Sequence, residues 1–341
     1  MPQSDLPRPT NRYGHIVRNW SMILVSIALV AALSYEVKAI YSPSGISSSN
    51  ASAPLKGAAG LQNQSTPSVS IKSVPISVSH IFIVVMENQP YSAIAGSSSA
   101  PYLNSLIKNA GLAKNYSAVS HPSLPNYLAL TSASTDGTTT DCSPPSSGCI
   151  VSVANIADEI EASGRSWRQY AENMPAPCYA QNYGSLYVTK HAPFLYYNDI
   201  INNTTRCNAH IVPYSYLAND LSLAKTTPDF AFITPNLCND MHSCSINTGD
   251  NWLSTNLPPI LNSAAFKSTA SLLIITWDEG NLSDNTVGAI FTGSAARAAY
   301  QSNIRYNHYS LLSTIEHLWG LKALTANDKN AIPMTDLVSA H

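Results

Sequence analysis

Four short apolar runs, rich in β-branched residues, constrain the fold of this chain more than any other feature. They lie at residues 81–86, 230–234, 271–277 and 289–292. Such runs are typical of strands that are buried on both faces, as in a parallel sheet. Helix-compatible stretches at residues 102–109, 153–162 and 309–319 alternate with them. This alternation predicts an α/β domain around a mostly parallel sheet.

Polar residues follow three of these runs directly. Glu87 and Asn88 come after the first, Asp278 and Glu279 come after the third, and Asn236, Asp240 and His242 come shortly after the second. Ligand sites in open parallel sheets lie beyond the carboxyl ends of the strands. We therefore expect the three segments to meet in one crevice.

The first and third polar segments supply three carboxylates and one amide. Carboxylates packed together without a cation repel one another and raise each other's pKa. A divalent metal ion would remove this conflict, and oxygen ligands suit Mg, Ca or Mn better than Zn. The sequence thus predicts one metal ion, although either pair alone would equally fit a surface turn after a strand.

The segment His121-Pro122-Ser123-Leu124-Pro125-Asn126 precedes an apolar helical run. Ser123 stands where a helix N-cap is expected, with Pro125 tolerated in the first turn. A hydroxyl there faces free backbone N–H groups and the positive end of the helix dipole, which favours phosphate binding. The competing interpretation is an ordinary capping serine.

Five segments together resemble one known family: IVVMENQPY, HPSLPNYLALTS, ITPNLCNDMHSC, ITWDEG and YNHYSLLSTIEHLWGL. They are similar, in the same order, to the phosphoesterase family of acid phosphatases and bacterial phospholipases C. That family belongs to the alkaline-phosphatase-like superfamily, and the resemblance spans roughly residues 80–320. It implies a three-layer α/β sandwich with a mostly parallel central sheet.

The resemblance also implies roles for individual residues. It makes Ser123 the nucleophile of a phosphoserine mechanism and gives the metal five ligands: Glu87, Asn88, Ser123, Asp278 and Glu279. The alternative to a single ion is a second one bound by His191, Asp240 and His242. Candidates for the acid and for contacts to phosphate oxygens are His308, His242, His121 and His191. Predicted substrate contacts are Asn126, Asn236 and Asp240.

The N-terminal part of the chain predicts export. Arg8, Arg12 and Arg18 precede an apolar run at residues 22–33, which fits either a cleaved signal peptide or an uncleaved membrane anchor within residues 1–40. Residues 41–79 are rich in Ser, Ala and Pro and predict a flexible stalk. Residues 80–341 then form the catalytic domain, outside the cell or on the outer face of the cytoplasmic membrane.

Six cysteines in an exported chain predict three disulfides, and pairing of sequence neighbours gives Cys142–Cys149, Cys178–Cys207 and Cys238–Cys244. Glycosylation sequons occur at Asn50, Asn63, Asn115, Asn202, Asn203 and Asn281. The formal net charge is only −2, so the chain has no basic field to recruit nucleic acid.

The leading functional hypothesis is an acid-phosphatase-type phosphomonoesterase that acts on small phosphorylated substrates. The first alternative is a phosphodiesterase or phospholipase C that acts on lipid headgroups. Gln89, Pro90 and Tyr91 depart from the phospholipase motif and weaken that alternative. The second alternative is a glycosylated surface protein that has kept the fold without activity.

Overall fold

The computed structural model describes residues 77–339. The predicted signal or anchor and nearly all of the predicted stalk lie outside these residues. No helix within residues 77–339 is long and apolar enough to cross a bilayer. The strands in this part of the chain are β1 His80–Met86, β2 Gly111–Ala113, β3 Tyr116–Ser117, β4 Trp167–Ala171, β5 Ile211–Pro213, β6 Phe230–Thr234, β7 Ser271–Trp277, β8 Ala289–Thr292, β9 Tyr300–Ser302 and β10 Tyr306–Asn307.

An eight-stranded sheet in the order β5-β4-β6-β1-β7-β8-β2-β9 organises the domain. β1 lies near its centre and pairs in parallel with β6 and with β7. The antiparallel pairings are those of β8 with β7 and with β2. Every residue of β1, β6 and β7 is buried, because strands covered on both faces are apolar throughout. The predicted mostly parallel sheet is confirmed.

Eleven α-helices connect and cover the strands within residues 77–339. They are α1 Tyr91–Ile94, α2 Pro101–Asn109, α3 Ser123–Ser132, α4 Ile156–Ala162, α5 Asn198–Ile201, α6 Thr204–His210, α7 Leu217–Asp220, α8 Ile246–Leu261, α9 Ala264–Ser268, α10 His308–Trp319 and α11 Ala326–Asn330. Short 3₁₀ turns at Thr189–His191, Pro193–Tyr196, Tyr214–Tyr216, Ala224–Thr226 and Thr335–Leu337 complete the chain.

Aromatic contacts show that helices cover both faces of the sheet. Phe232 of β6 pairs in register with Ile83 of β1, so it points to the face opposite Phe82. Phe266 of α9 packs on Phe82 at 5.0 Å between ring centroids, whereas Tyr127 of α3 packs near Phe232 at 6.2 Å. The domain therefore has three layers, as the family resemblance implied.

Candidate active site

The carboxyl ends of β6, β1 and β7 lie side by side and bring the three predicted polar segments together. Asp278 N donates to Met86 O at 2.9 Å, and Glu87 N donates to Asp240 O at 2.8 Å. These backbone bonds extend the strand pairing past the last strand residues. The predicted crevice is therefore present where the sheet ends.

Ser123 is the first residue of α3 and lies in this crevice. The N-cap position is held by Pro122, and no side chain caps the helix, so the prediction of Ser123 as the N-cap is wrong by one residue. Its Oγ instead donates to Glu87 Oε2 at 3.1 Å and lies 3.5 Å from Glu279 Oε1. The hydroxyl is thus free of capping and faces the carboxylates.

The carboxylates around Ser123 are unusually deeply buried. Glu87 and Asp278 are fully buried, and Glu279 is 4% exposed. Burial raises the pKa of Glu87 well above its usual range, and Asp240 raises it further. Burial, followed by Glu87 and Glu279, raises the pKa of Asp278 in the same way. The chain itself supplies too little positive charge to balance this group.

Two buried side-chain oxygens at the crevice, Asn88 Oδ1 and Asp278 Oδ2, have no hydrogen-bond partner. Buried acceptors without donors are costly unless another group satisfies them. Within residues 77–339 no three His, Cys, Asp or Glu side chains form a ready-made metal cluster. A site that combines carboxylates with the Asn88 amide and the Ser123 hydroxyl nevertheless fits a divalent cation.

His191, Asp240 and His242 lie together on the β6 side. His191 Nε2 is 3.0 Å from Glu87 Oε1, and its Nδ1 is 3.2 Å from Asp240 Oδ2. The ring of His242 is 5.9 Å from that of His191. Burial lowers the pKa of His191 well below its usual range, and burial with the Lys190 cation lowers that of His242 to about 4.

Lys190 and Asp141 also belong to the site, although the sequence interpretation missed both. Lys190 Nζ lies 3.3 Å from Ser123 Oγ, 2.8 Å from Asp141 Oδ2 and 3.5 Å from His242 Nε2. Burial works against its charge, but Glu87 and Asp141 outweigh burial and raise the pKa of its amine. Asp141 Oδ1 also accepts from Leu124 N at the start of α3. A fixed cation thus lies beside the serine hydroxyl.

His121 lies on the opposite side of Ser123, next to β7. Its Nδ1 is hydrogen-bonded to Glu279 Oε2, and its side chain is 32% exposed. A cleft opens there, lined by His121, Asn88 and Glu279 among others. Lys190 thus supplies a cation on one side of Ser123, and a cleft opens at His121 on the other.

Comparison with known proteins identifies the family of this chain. The model of the phosphoesterase family matches residues 97–322. The phosphatidylinositol-3-phosphatase of Mycobacterium tuberculosis is 35% identical over 76% of this chain and 82% of its own length. This chain belongs to the phosphoesterase family. It is accordingly a phosphoric ester hydrolase.

Two further similarities extend the comparison. A probable acid phosphatase of Kluyveromyces lactis is 33% identical over 73% of this phosphoesterase, which spans 60% of the yeast protein. The fold is similar to that of a protein in the alkaline phosphatase superfamily from Vibrio parahaemolyticus, with a TM-score of 0.55 and 13% identity over 76% of this chain and 70% of that one. The second similarity confirms the predicted fold class.

His308, predicted as an acid, lies behind the crevice of this phosphoesterase. It is fully buried. Its Nε2 donates to the carbonyl oxygen of Asp278 at 2.6 Å, and its Nδ1 therefore accepts from the Tyr116 hydroxyl at 2.9 Å. Burial lowers its pKa to about 4. With both nitrogens engaged, His308 positions Asp278 and does not reach a substrate.

Two predicted substrate contacts are instead used inside the protein. Asn126 Oδ1 accepts from Val119 N and Ser120 N, and its Nδ2 donates to Ser120 O and Pro122 O. Asn126 is fully buried, so it shapes the turn before Ser123. Asn236 Oδ1 accepts from two backbone N–H groups, those of Cys238 and Asn239, and this side chain stabilises its own loop.

The three predicted disulfides are confirmed: Cys142–Cys149, Cys178–Cys207 and Cys238–Cys244. The third encloses Asp240 and His242, and the first follows Asp141 directly. Disulfides are typical of proteins that fold outside the cytoplasm.

Glycosylation stays a prediction. Asn202, Asn203 and Asn281 are exposed, whereas the sequons at Asn50 and Asn63 lie outside the described residues.

Proposed function

We propose that this phosphoesterase is an exported, metal-dependent phosphomonoesterase of acid-phosphatase type. The observation that carries the proposal is the position of Ser123 Oγ, which is free of capping and lies between Glu87 at 3.1 Å and Lys190 at 3.3 Å. A nucleophilic hydroxyl needs a neighbouring acceptor for its proton and positive charge for the phosphoryl group. Both are within reach.

The proposed metal ligands are Glu87, Asn88, Ser123, Asp278 and Glu279, with Mg, Ca or Mn preferred to Zn. When bound, the ion would neutralise the carboxylates and the phosphoryl oxygens and lower the pKa of the hydroxyl. His191, Asp240 and His242 remain the alternative set for a second ion. The partnerless Asn88 and Asp278 oxygens support the first set.

The proposed reaction has two steps. Ser123 Oγ forms a bond to phosphorus while the bond to the substrate alcohol breaks, and the departing oxygen takes up a proton. Water then attacks the phosphoserine, releasing inorganic phosphate and restoring the hydroxyl. In this proposal Lys190 and His242 hold phosphoryl oxygens, and His121 hydrogen-bonds the departing oxygen.

The names of both relatives favour a phosphate monoester over a diester, since each is a phosphatase. Small soluble monoesters are our first candidates, and an inositol lipid phosphorylated at one ring hydroxyl is the second because of the mycobacterial relative. The phosphodiesterase alternative gains no support from these names. The predicted N-terminal segment would, if uncleaved, keep the enzyme at the membrane.

Phosphate release from nitrophenyl phosphate by the full chain in mild detergent tests the proposal. We expect activity in the wild type and a loss of at least about 10³-fold in Ser123→Ala. A choline-linked diester measured in parallel should react more slowly than the monoester. Equal activity of the two proteins would exclude Ser123 as the nucleophile, and absence of activity in both would favour the inactive surface protein.

A further inference from the structure

A cleft of about 320 Å³ opens on the His121 side of the site. Its lining includes the polar residues Asn88, His121 and Glu279 and the apolar residues Pro122 and Leu282. Most of the surface that it exposes is apolar. Ser123 follows Pro122 in the chain, and its Oγ lies 3.5 Å from Glu279 Oε1, so a group attached to the phosphate would extend into this cleft.

Leu282 is the least buried large hydrophobic residue in the described part of the chain. It is 93% exposed, whereas Leu223, another exposed leucine, is 52% exposed. Exposed leucine forgoes the stabilisation that burial of its side chain would give. A single exposed leucine is unremarkable by itself, so its meaning depends on how the loop holds it.

The loop that carries Leu282 is held by bonds to its own backbone. Asn281 Oδ1 accepts from Ser283 N and Asp284 N, both at 2.9 Å. The backbones of Asn281 and Asp284 also form a reciprocal pair of hydrogen bonds at 3.0 and 3.2 Å. A Cβ at Gly280 would lie 2.1 Å from Asp284 O, so the turn requires glycine there. Leu282 therefore lies in a turn that is held closed by its own hydrogen bonds.

The same loop is also tied to the residues around the nucleophile. Gly280 N donates to Asn285 Oδ1 at 2.8 Å, and Asn285 Nδ2 donates to Ser120 O at 3.2 Å, immediately before His121. On its other side, Ser92 Oγ donates to Asp284 Oδ2 at 3.0 Å. The position of Leu282 relative to His121 is thus fixed by the fold.

We propose that Leu282 and Pro122 form an apolar wall for the departing alcohol and that Leu282 is a specificity-determining residue. The favoured substrates are phosphate monoesters whose alcohol carries an apolar ring or chain next to the phosphate. Esters of small polyols gain nothing from this wall. The inference rests on the proposed monoesterase function and adds the residue that selects the alcohol.

The test compares kcat/KM for naphthyl phosphate and glycerol phosphate in four full-length proteins: the wild type, Leu282→Ser, Leu282→Met and Leu223→Ser. The Asn281 sequon is unchanged in all of them. In Leu282→Ser we expect kcat/KM to fall about 3- to 10-fold for naphthyl phosphate and to stay within about 2-fold for glycerol phosphate. Leu282→Met should keep the wild-type preference for naphthyl phosphate over glycerol phosphate, and the Leu223→Ser control should behave as the wild type.

The outcomes separate the inference from the function on which it rests. If the wild type hydrolyses neither ester, the proposed function fails. If both esters react and the ratio of their kcat/KM values is the same in wild type and Leu282→Ser, only the role of Leu282 is overturned. A third arm uses a monoalkyl phosphate in phosphatidylcholine vesicles. A loss confined to the vesicles would also overturn the wall, because Leu282 would then be acting on the bilayer.

Discussion

Two strands of the central sheet are followed by the same Glu-Asn-x-Pro pattern, yet the two glutamates have different surroundings. β1 is followed by Glu87-Asn88-Gln89-Pro90, and β4 is followed by Glu172-Asn173-Met174-Pro175. Both asparagines adopt the left-handed backbone conformation, with φ of 49° and 62°. Sequence and local backbone therefore do not distinguish the two ends.

Their surroundings do distinguish them. Glu172 accepts from Asn236 N at 2.9 Å, from Asn239 Nδ2 at 2.9 and 3.0 Å and from Trp252 Nε1 at 3.1 Å. Asn173 Oδ1 accepts from Asn236 Nδ2 at 2.7 Å. This glutamate is a structural brace, because N–H donors satisfy both of its oxygens.

The hydrogen bonds to the Glu87 side chain within residues 77–339 come from hydroxyl groups, and His191 Nε2 lies 3.0 Å from its Oε1. Its donors are the hydroxyls of Ser123, at 3.1 Å, and Tyr127, at 2.6 Å, and Asn88 Oδ1 has no partner. A buried acid that is held by hydroxyl groups next to an unpartnered amide oxygen can take a cation. The comparison teaches that the donors around the glutamate, rather than the residue pair, distinguish the two ends.

The largest expected difference is in kcat, between the variants Glu87→Gln and Glu172→Gln. Glu87→Gln should lower kcat by at least about 10³-fold while keeping or raising stability, because it removes a buried charge. Glu172→Gln should keep kcat within about 10-fold and lose about 1–3 kcal/mol of unfolding free energy. Nitrophenyl phosphate turnover and urea unfolding measure the two quantities, and equal losses of activity would erase the distinction.

The asparagines give a second matched pair. Alanine in a left-handed conformation costs about 1 kcal/mol, so Asn88→Ala and Asn173→Ala should lose similar stability. Only Asn88→Ala should also lower kcat, by about 10²-fold. A similar loss of kcat in Asn173→Ala would show that the backbone conformation, not the amide oxygen, is what the reaction needs.

The stabilisation that a divalent cation gives to each variant provides a further comparison of the two glutamates. A divalent cation at 100 times its Kd should stabilise the wild type by about 2.7 kcal/mol, and it should stabilise Glu172→Gln equally. Glu87→Gln should gain little. Thermal unfolding after chelation, and then with Mg, Ca, Mn or Zn restored singly, checks this. Equal gains in Glu87→Gln would place the ion elsewhere.

Glu316 on α10 shows a third way to accommodate a buried acid, with the smallest expected effect. Burial and a hydrogen bond to Asp328 raise its pKa to about 9, so the pair shares a proton. This contribution to stability is fully present below the pKa of glutamate in the unfolded chain, about 4.3, and it is lost as pH rises towards 9. Glu316→Gln should flatten this decline between pH 5 and pH 9 in urea unfolding. An unchanged slope would contradict the shared proton.

Much of the fold could be predicted because it depends on local patterns. The runs at residues 230–234, 271–277 and 289–292 coincide with β6, β7 and β8. The convergence of Glu87 and Asp278 followed from the general rule about strand ends. Neighbouring cysteines also paired as expected.

The remainder of the site depends on contacts between distant loops. Lys190 reaches Ser123 because Ser143 Oγ, just after Asp141, lies 2.8 Å from Thr189 Oγ1, just before Lys190. No local pattern indicates this contact. Asn126 and Asn236 were predicted as substrate contacts, but both amides are used inside the protein. Asn126 bonds the backbone of its own loop, and Asn236 bonds its own loop and the Asn173 side chain. The one available sequence signal for Lys190 was its position next to His191, a predicted site residue.

The central claim is that Ser123 carries the phosphoryl group during turnover. Wild-type enzyme mixed with excess nitrophenyl phosphate, quenched in neutral denaturant and digested, can be analysed by mass spectrometry. We predict one phosphoryl group on the peptide that contains Ser123, and none when Glu87→Gln is treated in the same way. An unmodified Ser123 beside a phosphorylated histidine, or turnover with no phosphorylated residue, would contradict the account.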